Sequence, residues 1–398
     1  MIQFAEAVEC VLQHVPALQV ERVSLAEACG RVLAEAVTAK VDSPRFDSSS
    51  VDGFTVIAQD CQESPELRIA ETIAAGKLAT QSVPSGHTAR ILTGAVVPIG
   101  CDAVVMKELC NERNGNVLIG SAPSPGENIR KQGDEFGTGE LLLNAGTILS
   151  PGPIALLALN GLTEILVFTQ PRVALITTGD EIVEPGEQLQ PGHVYNANRW
   201  GLYAALVSLK IKPVSVQHVR DNALELLNII RDVQESAEII ITAGGVSEGD
   251  TDHVRSVMQT LGWEIHFNQV AIKPGKPTCF GTLGERRWFG LPGNPVSALV
   301  SFHHFVRPLL LRISGRTKSM PKITSAVLTK PLVKKPGRME FVRGRVHETA
   351  EGLQVLPHSG RESHMLTSLI SSDCLIHFPQ DAEYVAVGER VEIEILSW

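Results

Sequence analysis

The fold of this chain is decided by one stretch, Ile239-Ile240-Ile241-Thr242-Ala243-Gly244-Gly245-Val246-Ser247-Glu248-Gly249-Asp250-Thr251-Asp252. Its β-branched start predicts a buried strand of a parallel sheet, because such strands are apolar on both faces. Two glycines then let the backbone turn tightly and approach a ligand closely. A helix predicted at residues 252–261 would leave backbone N–H groups free at its start, where phosphates and other oxyanions bind. The stretch therefore predicts an anion site, and the carboxylates of Asp250 and Asp252 indicate that Mg²⁺ accompanies the anion.

Strands and helices alternate along residues 171–315. The sequence predicts strands at residues 173–177, 213–219 and 239–242, and helices at residues 198–209, 221–236 and 294–311. This alternation is typical of a doubly wound α/β domain, in which ligands bind at the carboxyl ends of the strands. Because Gly179-Asp180-Glu181 and Gly244-Gly245 both follow such strands, we expect them to face one site.

The segments on either side of this α/β region differ from it in composition. Residues 3–36 are predicted to be helical, with a second helix that begins at Ser24 and has Glu27 at its capping-box position. Gly, Pro, Ser and Thr are frequent from about residue 37 to residue 137, which is typical of a β-rich domain with many turns. A helix at residues 153–159 follows, and alternating apolar residues near the end of the chain indicate a small antiparallel sheet or barrel.

These patterns together predict a multidomain α/β plus β protein. We expect a helical N-terminal domain at residues 1–37 and 138–168, which is interrupted by a β-rich domain at residues 38–137. A doubly wound α/β domain at residues 169–318 and a C-terminal β-barrel at residues 319–398 would complete the chain.

Composition excludes several classes of protein. The net charge of −9 and the pI near 5.8 disfavour a nucleic-acid surface, which would be basic. The acidic N-terminus does not resemble a signal peptide, and the long uncharged run at residues 141–163 contains prolines and glycines that a spanning helix tolerates poorly. The seven cysteines are dispersed without a C-x-x-C pair, as is typical of reduced thiols. We therefore predict a soluble, cytoplasmic protein without a nucleic-acid or membrane partner.

One motif points to an alternative chemistry. The segment Gly245-Val246-Ser247-Glu248-Gly249 matches the G-x-S-x-G pattern of a hydrolase nucleophile elbow, and Asp373 and His377 follow it in triad order. Gly244 before the pattern and the acidic residues after it fit anion and metal binding better. The hydrolase therefore stays the alternative interpretation.

Two lysines lie on a rigid turn, Ile272-Lys273-Pro274-Gly275-Lys276-Pro277. Lysine is a compact positive charge suited to an oxyanion, although two exposed lysines on a hairpin would be unremarkable. The acidic residues nearby and the segment Pro292-Gly293-Asn294-Pro295 favour a functional role for the turn.

Histidine spacing gives no sign of a transition-metal site. The twelve histidines show no H-E-x-x-H pattern, and consecutive residues such as His303-His304 would point to different faces of a helix. We therefore predict no transition-metal centre built from protein ligands.

Taken together, six segments closely resemble the molybdopterin molybdenumtransferase family, which includes bacterial MoeA and the E domain of gephyrin. They occur in the family order and cover nearly the whole chain: Phe46-Asp47-Ser48-Ser49-Ser50-Val51-Asp52-Gly53, Ile91-Leu92-Thr93-Gly94-Ala95-Val96-Val97-Pro98, Thr178-Gly179-Asp180-Glu181, Ala243-Gly244-Gly245-Val246-Ser247, Ile272-Lys273-Pro274-Gly275-Lys276-Pro277 and Gly290-Leu291-Pro292-Gly293-Asn294-Pro295-Val296-Ser297. Six motifs in order are far more specific than any one of them.

The resemblance implies an elongated four-domain protein that forms a homodimer, with an α/β domain shared with the Mog-type adenylyltransferases. The implied reaction takes adenylylated molybdopterin and molybdate, cleaves the phosphoanhydride with Mg²⁺, releases AMP and leaves molybdenum on the dithiolene. A Mog-type adenylyltransferase is then a candidate partner.

Residue roles follow from the resemblance where the motifs match. Asp52 and Thr93 would reach the active cleft of the other protomer, while Glu181, Asp221 and Asp252 would line the cleft and hold Mg²⁺. The substrate contacts that it implies are made by Gly179, Asp180, Gly244, Gly245, Ser247, Asp250, Lys273, Lys276, Pro277, Pro292, Asn294, Arg343 and Ser363. Within that set the lysines would attract molybdate, and Arg343 and Ser363 would close over the site. Gln269 and the pair Glu362-Ser363 depart from the pattern of relatives.

Two further functions compete with the transferase. One is a scaffold that binds molybdopterin without catalysis, and the acids retained at Asp52, Glu181, Asp221 and Asp252 argue against it. The other is a phosphoanhydride hydrolase that acts on a different nucleotide, which the α/β domain alone would allow.

Overall fold

The computed structural model describes residues 1–246 and 253–396, which divide into two compact units. The first unit comprises Met1–Val23, Gly30–Ala34 and Leu166–Trp398, and the second comprises Ser24–Cys29 and Glu35–Ile165. The boundaries of the four predicted domains remain predictions.

A six-stranded sheet forms the centre of the first unit. Its strands lie in the order Ser215–Val219, Val173–Thr178, Ile239–Ala243, Arg286–Leu291, Cys279–Leu283 and Glu264–Phe267. The first four strands are parallel and the last two pair antiparallel, so the sheet is mostly parallel with an antiparallel edge. The predicted strands at 173–177, 213–219 and 239–242 are confirmed to within two residues.

Both faces of this sheet are covered, as the unbroken apolar strands require. Side chains of one strand alternate between two cores, with Val173 and Leu175 in one and Ala174 and Ile176 in the other. All four are fully buried. The two-sided core confirms the doubly wound α/β architecture.

The helices agree with the predictions in the α/β region and at residues 153–159, whereas the predicted helical character of residues 3–36 is wrong beyond Phe4–Gln13, because Val20–Ser24 is a strand. The described α-helices are Phe4–Gln13, Ala58–Glu63, Pro151–Leu159, Ala197–Ser208, Ala223–Ser236, Val254–Thr260, Pro295–Ser301, Arg307–Ile313 and Thr367–Ile370, with a 3₁₀ turn at Lys107–Leu109 and a π-helix at Phe302–Val306. Within residues 1–246 and 253–396, no helix has the length and apolar character needed to cross a membrane.

The C-terminal part of the first unit is a closed five-stranded barrel, as predicted. Around the barrel the strands follow the order Met339–Thr349, Gly352–Pro357, Ile323–Leu328, Arg390–Ile395 and Cys374–Phe378, and the last strand pairs with the first. The short strand Ile272–Lys273 pairs with the start of the first barrel strand and sets Lys273 opposite Glu340. Four short strands complete the unit: Ile182–Val183, Val194–Tyr195, Leu332–Val333 and Tyr384–Val385.

The second unit is β-rich, as its composition predicts. Its mixed sheet has the order Ala103–Met106, Gly53–Val56, His87–Ile91, Glu66–Ile73, Asn116–Ile119 and Cys110–Arg113. The remaining short strands of the chain are Val20–Ser24, Val37–Thr38, Ser48–Ser49, Ile129–Arg130, Leu141–Leu143 and Glu164–Phe168.

The predicted helix beginning at Ser24 is wrong. Its capping contacts do form, because the Glu27 carboxylate accepts hydrogen bonds from the Ser24 hydroxyl at 2.7 Å and from the Ser24 amide at 3.4 Å. Ser24 nevertheless ends a strand, and the amide of Leu25 donates to the carbonyl of Thr163 at 3.1 Å. The local signal therefore specifies a turn here: the amides of Glu27 and Ala28 donate to the carbonyls of Ser24 and Leu25, and residues 25–36 contain no helix.

Candidate active site

A cleft of about 790 Å³ opens at the carboxyl ends of the parallel strands in the first unit. Strand register places the ends of Val173–Thr178, Ile239–Ala243 and Arg286–Leu291 side by side. The segments that follow these strands form one wall, and the turn after Ile272–Lys273 together with residues 361–364 forms another. The volume suits a small-molecule ligand.

Most of the predicted substrate residues line this cleft. Those that do are Gly179, Glu181, Asp221, Gly244, Gly245, Lys273, Lys276, Pro277, Pro292, Asn294 and Ser363. The lining also contains polar residues that no motif singles out: Tyr195, Asn196, Asn198, Arg338, Arg361 and His364. Arg361 is two residues from Ser363, so the local segment was recognised, but nothing in the sequence singles out the arginine.

The turn after the central strand can only be built from glycine. Gly244 has φ +97°, and a Cβ there would lie 2.6 Å from the carbonyl oxygen of Thr178. A Cβ on Gly245 would lie 2.7 Å from the side chain of Val254. The Thr178 hydroxyl beside this turn is buried, and the described residues offer it no hydrogen-bond partner. The cradle thus places a backbone without side chains and a buried hydroxyl beside the cleft, where a phosphate ligand can approach the chain closely.

Gly244→Ala is expected to destabilise the first unit strongly. Alanine at a positive φ costs about 1–2 kcal/mol, and the clash with Thr178 adds to it, so we expect a loss of about 3 kcal/mol or more in the free energy of unfolding. Gly192 is the matched control, because its φ is +89° and a Cβ there meets nothing within 4 Å. Urea denaturation of both variants tests this, and equal losses would show that close approach to Thr178 is unimportant.

Carboxylates converge at the sheet edge. The amide of Asp221 donates to Asp180 at 3.1 Å, and the amide of Asp180 lies 3.4 Å from the Asp221 carboxylate. Burial, and then the negative charges of Asp180 and Glu181, raise the pKa of Asp221 above its ordinary value. Gly179, with φ +143°, leaves room for the Glu181 carboxylate, since a Cβ on it would lie 2.7 Å from Oε2. The carboxylates of Asp180, Glu181 and Asp221 therefore lie close together at this edge of the sheet.

Cations gather around one buried acid, Glu340, beside the turn after Ile272–Lys273. Glu340 is 3% exposed, and its Oε1 lies 3.5 Å from the Lys273 ammonium and 2.7 Å from Nη2 of Arg361. The Lys273 side chain keeps 40% of its surface exposed, so its ammonium also faces the cleft. Together with Lys276 and Arg338, these groups make a positively charged wall that suits an oxyanion.

Arg343 does not lie where the resemblance places it. The side chain is 2% exposed and does not line the cleft. Its Nε donates to Ser368 at 3.0 Å, and its Nη2 donates to the carbonyls of Gly360 at 2.8 Å and Glu362 at 3.1 Å. Arg343 therefore fixes the segment that carries Arg361 and Ser363, and acts on the cleft through that segment.

A helix N-terminus completes the lining. Asn196 caps the helix Ala197–Ser208 by accepting a hydrogen bond from the Arg199 amide at 3.1 Å. The Asn198 amide donates to the carbonyl of Gly293 at 2.6 Å and so ties this helix to the loop after Arg286–Leu291. Its side-chain oxygen is buried and has no hydrogen-bond partner within the part of the chain that is described. This oxygen can therefore accept a hydrogen bond from a ligand bound in the cleft.

Asp52 and Thr93 lie together in the second unit. The Asp52 carboxylate accepts hydrogen bonds from the Thr93 amide at 2.8 Å and from its hydroxyl at 2.9 Å, and Lys107 lies 3.6 Å away. These hydrogen bonds, the amide first, lower the pKa of Asp52. The pair predicted from two separate motifs is thus a preorganised carboxylate–hydroxyl site.

Three predicted site residues, Ser247, Asp250 and Asp252, lie outside the described residues. The other members of the hydrolase alternative do not line the cleft. Asp373 accepts a hydrogen bond from the Val346 amide at 2.7 Å, and His377 lies 2.8 Å from Glu394 in the barrel. The triad interpretation therefore loses two of its three members.

Three family descriptions match the chain in sequence. "MoeA N-terminal region (domain I and II)" matches residues 2–161, "Probable molybdopterin binding domain" matches residues 174–312, and "MoeA C-terminal region (domain IV)" matches residues 325–396. The cleft described above has its sheet-edge wall in the second of these regions.

Similar proteins extend over the full length. The chain is 36% identical to a molybdopterin molybdenumtransferase from Haemophilus influenzae, over 99% of this chain and 98% of that protein. It is 34% identical to one from Nostoc sp., over 93% of this chain and 87% of that protein. Among solved structures, a molybdopterin biosynthesis MoeA protein from Pyrococcus horikosii superposes with a TM-score of 0.83 at 31% identity, with 100% of each chain covered.

Proposed function

Because the chain belongs to the molybdopterin molybdenumtransferase family, we propose that it inserts molybdate into adenylylated molybdopterin, releases AMP and depends on Mg²⁺. Family membership makes it a transferase of molybdenum cofactor biosynthesis. The adenylylated substrate, the release of AMP and the role of Mg²⁺ are the parts that we add.

One observation carries this proposal: carboxylates and cations line the same cleft. The glycine cradle and the acids Glu181 and Asp221 lie at the sheet edge, and Lys273, Lys276 and Arg361 line the same cleft. A phosphoanhydride needs a backbone cradle and a divalent cation, and a second, separate oxyanion needs fixed positive charge. The cleft provides both environments at once, as a reaction between an adenylylated pterin and molybdate requires.

The residues of the sheet edge fit Mg²⁺. Glu181 and Asp221 offer carboxylate oxygens to one cleft, and the neighbouring negative charges that raise the pKa of Asp221 favour a divalent cation. Mg²⁺ binds through one or two carboxylates, with substrate phosphates and water as its other ligands. When bound, it would neutralise the charge that develops on the phosphoanhydride oxygens. Asp252 would be a further ligand of the same kind.

The chain's own groups have distinct tasks in this scheme. Gly244, Gly245 and Thr178 would hold the phosphate of the pterin against the sheet edge, and Lys273 would hold molybdate by charge. Cleavage of the phosphoanhydride adds water across the P–O–P link and yields AMP, so the carboxylates of Glu181 and Asp221 would orient that water. Buried Glu340 would keep the ammonium of Lys273 aimed at the oxyanion.

We further propose a homodimer in which Asp52 and Thr93 complete the cleft of the other protomer. Their hydrogen-bonded arrangement is that of a preorganised site, and they come from motifs that the family shares. The seven free cysteines support a reducing compartment such as the cytoplasm. A Mog-type adenylyltransferase that supplies the adenylylated pterin is the partner that fits this substrate.

Complementation between two inactive variants is expected to restore activity. If Asp52 and Asp221 act in the same cleft from different protomers, a heterodimer of Asp52→Ala with Asp221→Asn retains one intact cleft. Equimolar mixtures refolded together should then show about a quarter of wild-type AMP release. Each variant alone is the control, and no restored activity would place both residues in the cleft of one protomer.

The decisive assay measures AMP release from adenylylated molybdopterin, with and without molybdate and Mg²⁺. Release that depends on both, with molybdenum retained on the pterin, supports the transferase proposal. Binding without release would indicate the scaffold, and release from unrelated nucleotides would indicate the hydrolase.

A further inference from the structure

Four ionisable side chains meet in the core of the first unit, outside the cleft. His303 and His304 are 0% exposed, Glu394 is 2% exposed and His377 is 6% exposed. They come from the π-helix Phe302–Val306 and from two barrel strands, more than 70 residues further along the chain. None of the four lines the active-site cleft, so the proposed transferase chemistry does not account for them.

One carboxylate oxygen is the focus of this cluster. Oε2 of Glu394 lies 2.7 Å from Nε2 of His304 and 3.4 Å from Nε2 of His303. The other oxygen, Oε1, lies 2.8 Å from Nε2 of His377. The ligand atoms of His303, His304 and Glu394 all lie within 4.8 Å of one another. Two imidazole nitrogens and one carboxylate oxygen thus form a compact group of possible ligand atoms.

We propose that His303, His304 and Glu394 bind a divalent transition-metal ion, with Zn²⁺ as the best fit. Two imidazoles and a carboxylate are a ligand set that zinc uses, whereas Mg²⁺ and Ca²⁺ prefer oxygen ligands alone. Zinc–nitrogen and zinc–oxygen distances of about 2.0–2.2 Å require ligand atoms spaced by about 3.4 Å in a tetrahedral site. The 3.4 Å separation between His303 and Glu394 already meets this requirement, and a small shift of the His304 ring would meet it again.

His377 has a positioning role in this site. Ligating carboxylates are commonly fixed by a hydrogen-bonding group on their second oxygen. His377 occupies that place at Oε1, while Glu392 lies 3.6 Å from its other ring nitrogen. The carboxylate is therefore held with Oε2 towards the two histidines of the π-helix.

The cluster contains a buried negative charge that needs compensation. A carboxylate that is 2% exposed loses its hydration, and an isolated charge in such a place is strongly disfavoured. One protonated histidine would already balance this single negative charge, whereas a divalent ion held by the carboxylate and two neutral imidazoles would leave the site with one positive charge. The charge balance therefore does not call for the ion, and the case for it rests on the types and spacing of the ligand atoms.

Aromatic rings enclose the cluster. The ring of Phe341 lies 4.0 Å from that of His304, and Phe4 meets the same imidazole edge-on at 5.2 Å. An apolar shell of this kind limits the access of solvent and slows exchange of a bound ion. Because the ligands come from the α/β part and from the barrel, the ion would join these two parts of the first unit. We therefore assign it a role in joining them, with the ion taken up during folding and with a water molecule as the fourth ligand of the three-residue site.

The π-helix explains why neighbouring histidines can share one ligand. Its i→i+5 bonding widens the turn, and such turns are rare and frequent at functional sites. In a regular α-helix the two rings would diverge, as the sequence analysis assumed. The structure corrects that assumption, because both Nε2 atoms face Glu394.

Refolding in defined metal tests the proposal. The full-length wild-type chain is unfolded in guanidinium with a chelator, desalted, and refolded with Zn²⁺ or with Mg²⁺ alone. We expect about one equivalent of tightly held zinc per chain by elemental analysis, and a higher Tm for the zinc-refolded protein. Refolding with Co²⁺ should give the visible d–d bands of a low-symmetry nitrogen and oxygen site.

Glu394→Gln and His304→Asn are expected to lose the bound zinc, whereas His347→Asn keeps it. His347 is the matched control because it is an exposed barrel histidine outside the cluster. If a cluster variant does not refold, the comparison of wild-type protein refolded with Zn²⁺ or with Mg²⁺ alone still tests the proposal. Wild-type protein that refolds to the same Tm without zinc, and holds no more zinc than the Mg²⁺-refolded sample, would overturn the proposal. Equal zinc content in His347→Asn and in the cluster variants would do so too.

Discussion

Asp221→Asn is expected to reduce AMP release by about a hundredfold or more while the protein remains folded. The amide side chain keeps the shape of the carboxylate and can still accept the hydrogen bond from the Asp180 amide, which lies 3.4 Å away. It loses the negative charge that would hold Mg²⁺ and orient water beside Glu181. Removal of one well-placed polar group from an active site commonly costs a factor of about 100–1,000 in rate.

Asp221→Asn should not lower the free energy of unfolding, although it lowers the rate of AMP release. The raised pKa of Asp221 means that the folded protein disfavours the charged carboxylate relative to the unfolded chain. This penalty is absent well below the ordinary pKa of 3.8 and is complete once the pH exceeds the raised folded value. At neutral pH the neutral amide therefore should give a free energy of unfolding equal to or higher than that of wild type. Urea denaturation without Mg²⁺ measures it.

Asp232→Asn is the matched control for charge. Asp232 is an exposed residue of the helix Ala223–Ser236, which begins two residues after Asp221. This control should leave AMP release and its Mg²⁺ dependence unchanged. Wild-type release and an unchanged Mg²⁺ requirement in Asp221→Asn would remove Asp221 from the proposed metal site.

The Mg²⁺ requirement should also depend on pH. A carboxyl with a raised pKa takes up a proton at a higher pH than an ordinary aspartate does, and a protonated carboxyl binds Mg²⁺ poorly. The Mg²⁺ concentration for half-maximal activity is thus expected to rise as the pH falls towards the pKa of Asp221. Asp221→Asn should lose this part of the pH dependence.

Lys273→Met is expected to weaken molybdate binding by about ten- to a hundredfold. Methionine retains much of the apolar stem but removes the ammonium that faces the cleft. Hydrogen bonds to charged groups contribute about 1.5–3 kcal/mol, and each 1.4 kcal/mol is a factor of ten in affinity. The fold should survive, because Glu340 keeps its contact with Arg361 at 2.7 Å.

The molybdate concentration for half-maximal AMP release measures this effect. Lys322→Met is the control, since Lys322 is an exposed lysine just before the barrel strand Ile323–Leu328 and does not line the cleft. A molybdate requirement unchanged in Lys273→Met would assign oxyanion binding to Lys276, Arg338 or Arg361 instead. Unchanged affinity for the adenylylated pterin in the same variant would show that the phosphate of the pterin and molybdate are bound by different residues.

Local patterns account for the α/β region. The β-branched run at Ile239–Ala243 is buried on both faces, and the glycines after it have the positive φ values that a close turn needs. Asn196 and Asn222 cap the helices predicted from Asn198 and Asp221, so the predicted starts are within two residues. Strand burial, turn geometry and capping depend on nearby residues, and so the sequence could predict them.

Contacts between distant segments decide which side chains line the cleft and where some predicted helices do not form. Arg343 and Arg361 are both arginines near the predicted site, yet one is buried beneath it and the other lines it. The capping-box pattern at Ser24 forms side-chain contacts at a turn that follows a strand, and the Leu25 amide there bonds to the distant Thr163. No local pattern distinguishes these outcomes.

The sequence by itself therefore determined the alternation of strands and helices, the barrel, and the residues after each strand that carry the family motifs. Only the tertiary structure decided which cations share the buried carboxylate of Glu340, and that His303 and His304 both meet Glu394. The physical reason is how far apart along the chain the interacting residues lie. Backbone conformation and burial pattern follow from neighbours within a few residues, whereas a buried charge finds its partner only when segments some 20 to 90 residues apart pack together.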